Sequence, residues 1–204
     1  LSDVRYIFFA YENKNNILDV IIIVCEFSEI KTPIKDLPGI SKLVFTHCSS
    51  FHKFINDWLR IRDRGTKICK SISALKIHEF HDNFYPKSLG PLTESLLEAV
   101  DGMKNIVEGV EIINKQLKAV SQLQPTSEPV INTWTAAKIS KQVQRIYESL
   151  VKEYELKQCI TENMAHCRDE NLIEVYVTSW ELDVYLDLDE VSYLFADIGL
   201  TGVL

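Results

Sequence analysis

An all-α fold is predicted for this 204-residue chain: a long antiparallel coiled-coil helical hairpin packed with a third long helix and short C-terminal helices. Three observations carry that expectation. Apolar residues recur at alternating steps of three and four along two long stretches, the spacing that lines one face of a helix. Seven glycines and six prolines are few for the many tight turns of a sandwich or barrel. A composition of 46% hydrophobic, 25% charged and 10% aromatic residues belongs to a chain that folds.

Residues 1–48 read as an N-terminal segment holding a short hairpin and then a flexible lead-in. Two β-branched and aromatic clusters, Tyr6 to Tyr11 and Ile17 to Cys25, flank the polar run Glu12-Asn13-Lys14-Asn15-Asn16. Pro33 and Pro38-Gly39 mark residues 31–48 as irregular.

Residues 49–123 form the helical hairpin. Its first seam is Phe51, Phe54, Trp58, Ile61, Gly65, Ile68, Ile72 and Leu75, with Ser49 and Ser50 as candidate caps. Its second is Leu92, Leu96, Ala99, Met103, Ile106, Val110, Ile113, Leu117 and Val120, with Pro91 suited to a first helical position. The stretch Ser50–Ile77 carries seven bases against two acids and Pro91–Gln122 three bases against five, so antiparallel pairing sets opposite charges face to face. Ile55, Leu59, Cys69, Leu97, Val100 and Val107 widen both stripes, and a third helix or a partner must cover them.

Residues 124–132 read as a linker around Pro125 and Pro129, and residues 133–204 as a C-terminal helical region. Thr133 is the expected cap of a helix from Thr135 to His166. Its stripe runs through Ile139, Val143, Ile146, Leu150, Tyr154, Ile160 and Met164, and Glu153 and Lys157 break a strict heptad. Shorter helices are expected over Glu170 to Glu181 and Leu188 to Ile198.

The net charge of −7 disfavours direct nucleic-acid binding, which needs clustered Lys and Arg. The acidity is local, with nine acids against one base from Arg168 onward. The run Arg60, Arg62, Arg64, Lys67 and Lys70 is the weaker argument for nucleic acid; it reads better as a solvated face opposite Glu94, Glu98 or Glu108. The longest apolar run near the start, Val20 to Cys25, is six residues, so neither a membrane anchor nor a signal peptide is expected.

Five cysteines without a CxxC pair suggest reduced thiols. The clusters His47-Cys48-His52 and His78-His81 fall at opposite ends of the first helix, about 40 Å apart at 1.5 Å per residue, and cannot share one ion. The adjacent His166 and Cys167 point in different directions on a helix end, and no phosphate-binding glycine loop is present. No catalytic residue, cofactor or metal is therefore expected. Thr32-Pro33-Ile34-Lys35 fits the proline-directed form that cyclin-dependent kinases accept, which makes Thr32 a phosphorylation candidate.

Asn132-Thr133-Trp134, followed by Ile146-Tyr147-Glu148, Lys152-Glu153, Leu156-Lys157, Ala165-His166, Leu172, Tyr176 and Trp180, resembles the C-terminal region of the cyclin-dependent kinase 2-interacting protein family. The first helix adds His52, Ile55, Trp58, Asp63, Gly65, Ile72 and Leu75-Lys76-Ile77. The resemblance covers about two-thirds of the chain. The sequence departs from the family in its first thirty residues and in having Thr135, not proline, after Trp134. It implies a nuclear, non-enzymatic adaptor that joins a cyclin-dependent kinase and a second replication-origin kinase to DNA replication and checkpoint factors. It also implies an association with AAA-type ATPase complex subunits in ribosome biogenesis and replisome turnover. Trp134, Tyr176 and Trp180 are the partner-binding candidates, because buried aromatics dominate interface energies.

Overall fold

The computed structural model describes residues 7–12, 18–23, 39–79, 86–123 and 128–200. The chain divides into two units, Leu1–Pro33 and Ile34–Leu204. In the first, strands β1 (Ile7–Glu12) and β2 (Leu18–Ile23) pair antiparallel, with Ile7 opposite Ile23 and Glu12 opposite Leu18. The hairpin expected from the β-branched clusters is present. Thr32 lies outside the described residues.

Among the described residues of the second unit the long elements are helices, in the order α1 (Gly39–Glu79), α2 (Leu89–Leu123), α3 (Ala136–Met164), α4 (Glu170–Glu181) and α5 (Leu188–Asp197). Helix α1, at 41 residues, is about 60 Å long at 1.5 Å per residue. It starts at Gly39, which corrects the irregular reading for residues 39–48; residues 31–38 lie outside the described residues. The seam extends backward through Val44 and Cys48, both fully buried, and Ser49 and Ser50 lie inside the helix rather than capping it. A proline beside a helix's first turn removes a donor that would have no partner there, so Pro38-Gly39 adjoins the helix start instead of blocking it.

The stripe on α1 has two sides with different partners. Phe54 and Ile61 lie over Gly109 and Gly102 of α2, where a glycine Cβ would run into their side chains. Ile55, Trp58, Cys69 and Ile72 are fully buried, while Phe54, Ile61, Ile68 and Leu75 are only half-buried. The residues on the enclosed side meet the rest of the chain: Arg62 reaches Asp183, and Lys76 Nζ donates to the Met164 carbonyl at 2.6 Å. Helix α2 packs on both α1 and α3, and α4 also packs on both, so four helices surround one core.

Helix α5 covers the earlier half of α1, where Phe195 stacks at a tilt on Phe51 at 5.4 Å and edge-on to His52 at 4.8 Å. Helix α4 covers the later half through Trp180, whose indole N–H donates to the Arg62 carbonyl at 3.1 Å. The α4–α5 connection, Leu182–Asp187, therefore crosses the middle of α1 near Trp58.

Local capping explains the remaining boundaries. Thr135, not Thr133, caps α3, its hydroxyl accepting from the Lys138 N–H at 3.2 Å. Thr133 sits in a turn closed by the Trp134 N–H donating to the Ile131 carbonyl at 2.8 Å. Asn132 takes a φ of 49° there, a left-handed conformation that asparagine tolerates better than most residues. Asp169 caps α4 and Asp187 caps α5, each accepting from two backbone amides. Helix α3 ends under Lys76, whose ammonium answers the carbonyl of its last residue, Met164, and that of Cys167 just beyond.

Gly65→Ala should be costly, because the added Cβ would overlap the Trp180 indole. Overpacking of this kind costs about 1–3 kcal/mol. Gly39→Ala, with nothing within 4 Å of the new Cβ, should stay within about 0.5 kcal/mol of the parent. Urea denaturation of the two variants separates these outcomes.

Candidate functional site

The seam of α3 reads Ile146, Leu150, Glu153, Lys157, Ile160 and Met164, so two opposite charges occupy consecutive core positions. Both are fully buried, and Lys157 Nζ contacts Glu153 Oε1 at 2.7 Å. The ammonium has three donors. The other two go to the Ser179 carbonyl at 2.8 Å and the Leu182 carbonyl at 3.0 Å, at the C-terminal end of α4. Glu153 Oε2 accepts from the Tyr185 backbone N–H at 2.7 Å.

Asp183 completes the cluster. Its side chain is 2% exposed, with Oδ2 at 2.7 Å from Arg62 Nη1 and Oδ1 at 3.8 Å from Lys157 Nζ. The Trp58 indole N–H donates to the same Oδ1 at 3.3 Å. Two carboxylates thus meet two cations, and the buried cluster is neutral overall. Burial by itself would lower the Arg62 pKa; the hydrogen bond and charge of Asp183, with a smaller contribution from Asp63, hold it above its ordinary value.

This arrangement clamps a strap. Glu153, Lys157, Trp58 and Arg62 grip residues 179–185 from beneath, and Leu186 is buried beyond them. The outward side chains Leu182, Val184 and Tyr185 are 58%, 57% and 50% exposed. Next to the strap, Trp134, Arg145, Asp187 and Tyr193 line a shallow groove of about 350 Å³.

The basic run of α1 is largely answered within the chain. Arg60 pairs with Asp57, Arg62 with Asp183 and Asp63, Arg64 with Glu98 at 3.1 Å, and Lys70 with Glu181 at 2.8 Å. Glu98 is one of the acids expected opposite that face. Among the described residues, no group of three or more His, Cys, Asp or Glu side chains is placed to hold a metal ion. No described helix is long and apolar enough to cross a membrane. Burial pushes the Cys48 and Cys69 thiols up to about 12 and lowers the pKa of His47 and His52.

No family model matches the chain. Among individual proteins, a mouse relative is 25% identical over 201 residues, covering 85% of this chain and 95% of its own length. A human relative is 22% identical over 199 residues, covering 84% and 94%, and a Xenopus laevis relative 27% identical over 106 residues, covering 48% and 51%. All three are named cyclin-dependent kinase 2-interacting protein. The chain is similar to these cyclin-dependent kinase 2-interacting proteins over most of its own length and, for the mouse and human relatives, over nearly all of theirs.

In this chain the aromatic candidates sit differently from one another. Trp180 is fully enclosed against Gly65, with Lys157 Nζ 6.0 Å from its ring centroid. Trp134 is 7% exposed, its N–H donating to Asp197 Oδ2 at 3.0 Å and one ring face under Lys138 Nζ at 3.9 Å. Both rings give most of their area to the chain's own core, and Tyr176 is half-buried on α4. The strap side chains and Tyr193 offer more apolar surface than any of the three, and the sequence reading did not single them out. The readable signal was the pair Glu153 and Lys157, two charges set four apart on an apolar stripe.

Replacing Lys157 by Met leaves Glu153 and Asp183 with too little positive charge and should cost about 3–5 kcal/mol. The double variant Glu153→Leu/Lys157→Met should lose less than the sum of the two singles by roughly 1–3 kcal/mol, measured by a denaturation cycle. Among the described cysteines, iodoacetamide at pH 8 should label exposed Cys159 first and half-buried Cys167 more slowly. Cys48 and Cys69 should stay unlabelled until the chain unfolds, as read by peptide mass mapping.

Proposed function

We propose that this chain is a non-enzymatic adaptor that binds a cyclin-dependent kinase and connects it, in the nucleus, to a second replication-origin kinase and the checkpoint machinery. The observation that carries the reading is the match to relatives named for interaction with cyclin-dependent kinase 2 over nearly their full length. The geometry is compatible with it. Four helices locked by a buried charge cluster make a rigid platform, and rigid platforms bind partners without a large ordering cost. The Thr32-Pro33-Ile34-Lys35 pattern adds that such a kinase, once bound, has an acceptor in the same chain.

The test is binding between purified components. The chain should co-elute with cyclin-dependent kinase 2, alone or with its cyclin, in size-exclusion chromatography. Calorimetry should then give a dissociation constant in the micromolar range or tighter. Failure with both the free and the cyclin-bound kinase would overturn the reading.

A further inference from the structure

We propose that the outer face of the Leu182–Leu186 strap, continued by Tyr193 on α5, is a docking surface for a basic amphipathic helix of a partner protein. The proposal names a surface and the chemistry of its occupant, and it does not depend on the partner being a kinase.

Asp183 and Leu186 turn inward and are enclosed, while Leu182, Val184 and Tyr185 stay at least half in water. The inward groups are held by charges from two helices: Arg62 grips Asp183, Lys157 takes the Leu182 carbonyl, and Glu153 takes the Tyr185 N–H. Burying ions carries a desolvation penalty, and fixing a loop backbone costs conformational entropy. A polar, mobile loop would join α4 to α5 without either cost. What the costly arrangement adds is a fixed display of three large apolar side chains, pre-organised for contact.

The region from Arg168 onward holds nine acids and one base, and the inward Asp183 is neutralised by Arg62 and Lys157. Of the acids at the strap's ends, Glu181 pairs with Lys70 and Glu190 with Arg145, so the excess negative charge rests on Asp187 and Asp189, next to Tyr193. Glu181 is 49% exposed, and Asp187 shares the adjacent groove with Tyr193, itself 73% exposed. An apolar centre with an acidic rim matches a helix that carries an apolar stripe and flanking Lys or Arg. The lengths agree as well. Leu182 to Tyr185 spans at most about 10 Å at roughly 3.3 Å per residue, the rise from i to i+7 along an α-helix at 1.5 Å per residue.

The probe is an 18-residue fluorescein-labelled peptide with Leu at i, i+4, i+7 and i+11 and Lys at the remaining exposed positions, titrated into the full chain. The Lys peptide should bind, with amide chemical-shift changes concentrated at Leu182–Leu186 and around Tyr193. Val184→Ser/Tyr185→Ser should weaken it at least tenfold without moving the thermal midpoint, while Leu97→Ser, at an exposed position on α2, should leave it unchanged. Exchanging every Lys for Glu in the peptide should abolish binding. No binding of the Lys peptide, equal binding by the strap variant, or shift changes centred elsewhere would overturn the proposal. Because cyclin-dependent kinase 2 is absent from this experiment, its outcome is independent of the kinase-binding test.

Discussion

The second unit is organised around an ion pair in a place where ions are expensive. Glu153 and Lys157 sit at adjacent seam positions of α3 with no solvent contact, and each must find partners inside the protein. The partners come from the end of α4 and the strap: two carbonyls for the ammonium and one backbone N–H for the carboxylate. Asp183 then brings a second negative charge, which Arg62 of α1 answers. The pair therefore dictates where α4 stops, how the chain leaves it, and which turn of α1 faces it. Helix α1 has to supply a cation at residue 62 and a bare backbone at residue 65, because the same approach brings the Trp180 ring onto Gly65.

That constraint explains why two short helices accompany three long ones. The enclosed side of α1 is too long for one short helix to cover, since α4 has 12 residues and α5 has 10. Helix α5 covers the turn around Phe51 and His52, α4 the turns from Arg62 to Lys70, and the strap bridges them at Trp58. The acidity of the C-terminal region is partly a by-product of this construction. Asp169 and Asp187 cap helices, Asp197 receives the Trp134 N–H, and Glu181 and Glu190 pair with Lys70 and Arg145.

Much of the helical layout was legible because it rests on periodicity, which the sequence displays directly. The α4 boundaries and the start of α5 match their expected positions, and both helices begin with an aspartate cap that sequence rules recognise. The start of α1 was not legible, because Pro38-Gly39 carries the same signal whether it ends a loop or precedes a helix. The seam of α1 was half legible. Phe54, Ile61 and Ile68 mark one side of the stripe as convincingly as Ile55, Cys69 and Ile72 mark the other, and only the packing of α3 and α4 decides which side is enclosed. Asp183 could not be read at all. Nothing in its neighbours distinguishes a buried acid from a loop acid, since its partner Arg62 is 121 positions away.

The charged seam also bears on why this arrangement excludes close alternatives. With Leu at both 153 and 157, α3 would present a continuous apolar ridge, and the α4–strap segment could slide along it with little change in buried area. Two charges with fixed hydrogen-bonding needs remove that freedom. A shift of one residue along the strap would strand the Lys157 ammonium without the Ser179 and Leu182 carbonyls and leave Glu153 without the Tyr185 N–H, each an unpaired buried group costing about 1–3 kcal/mol or more. The indole N–H groups of Trp58 and Trp180 add two more register marks, one on Asp183 and one on the Arg62 carbonyl. The polar cluster thus sets register for an element whose outward side chains are apolar, as a single polar residue does for a coiled-coil seam. A surface meant for recognition has to present the same side chains in the same order every time the chain folds, and the buried pair supplies that constancy from below.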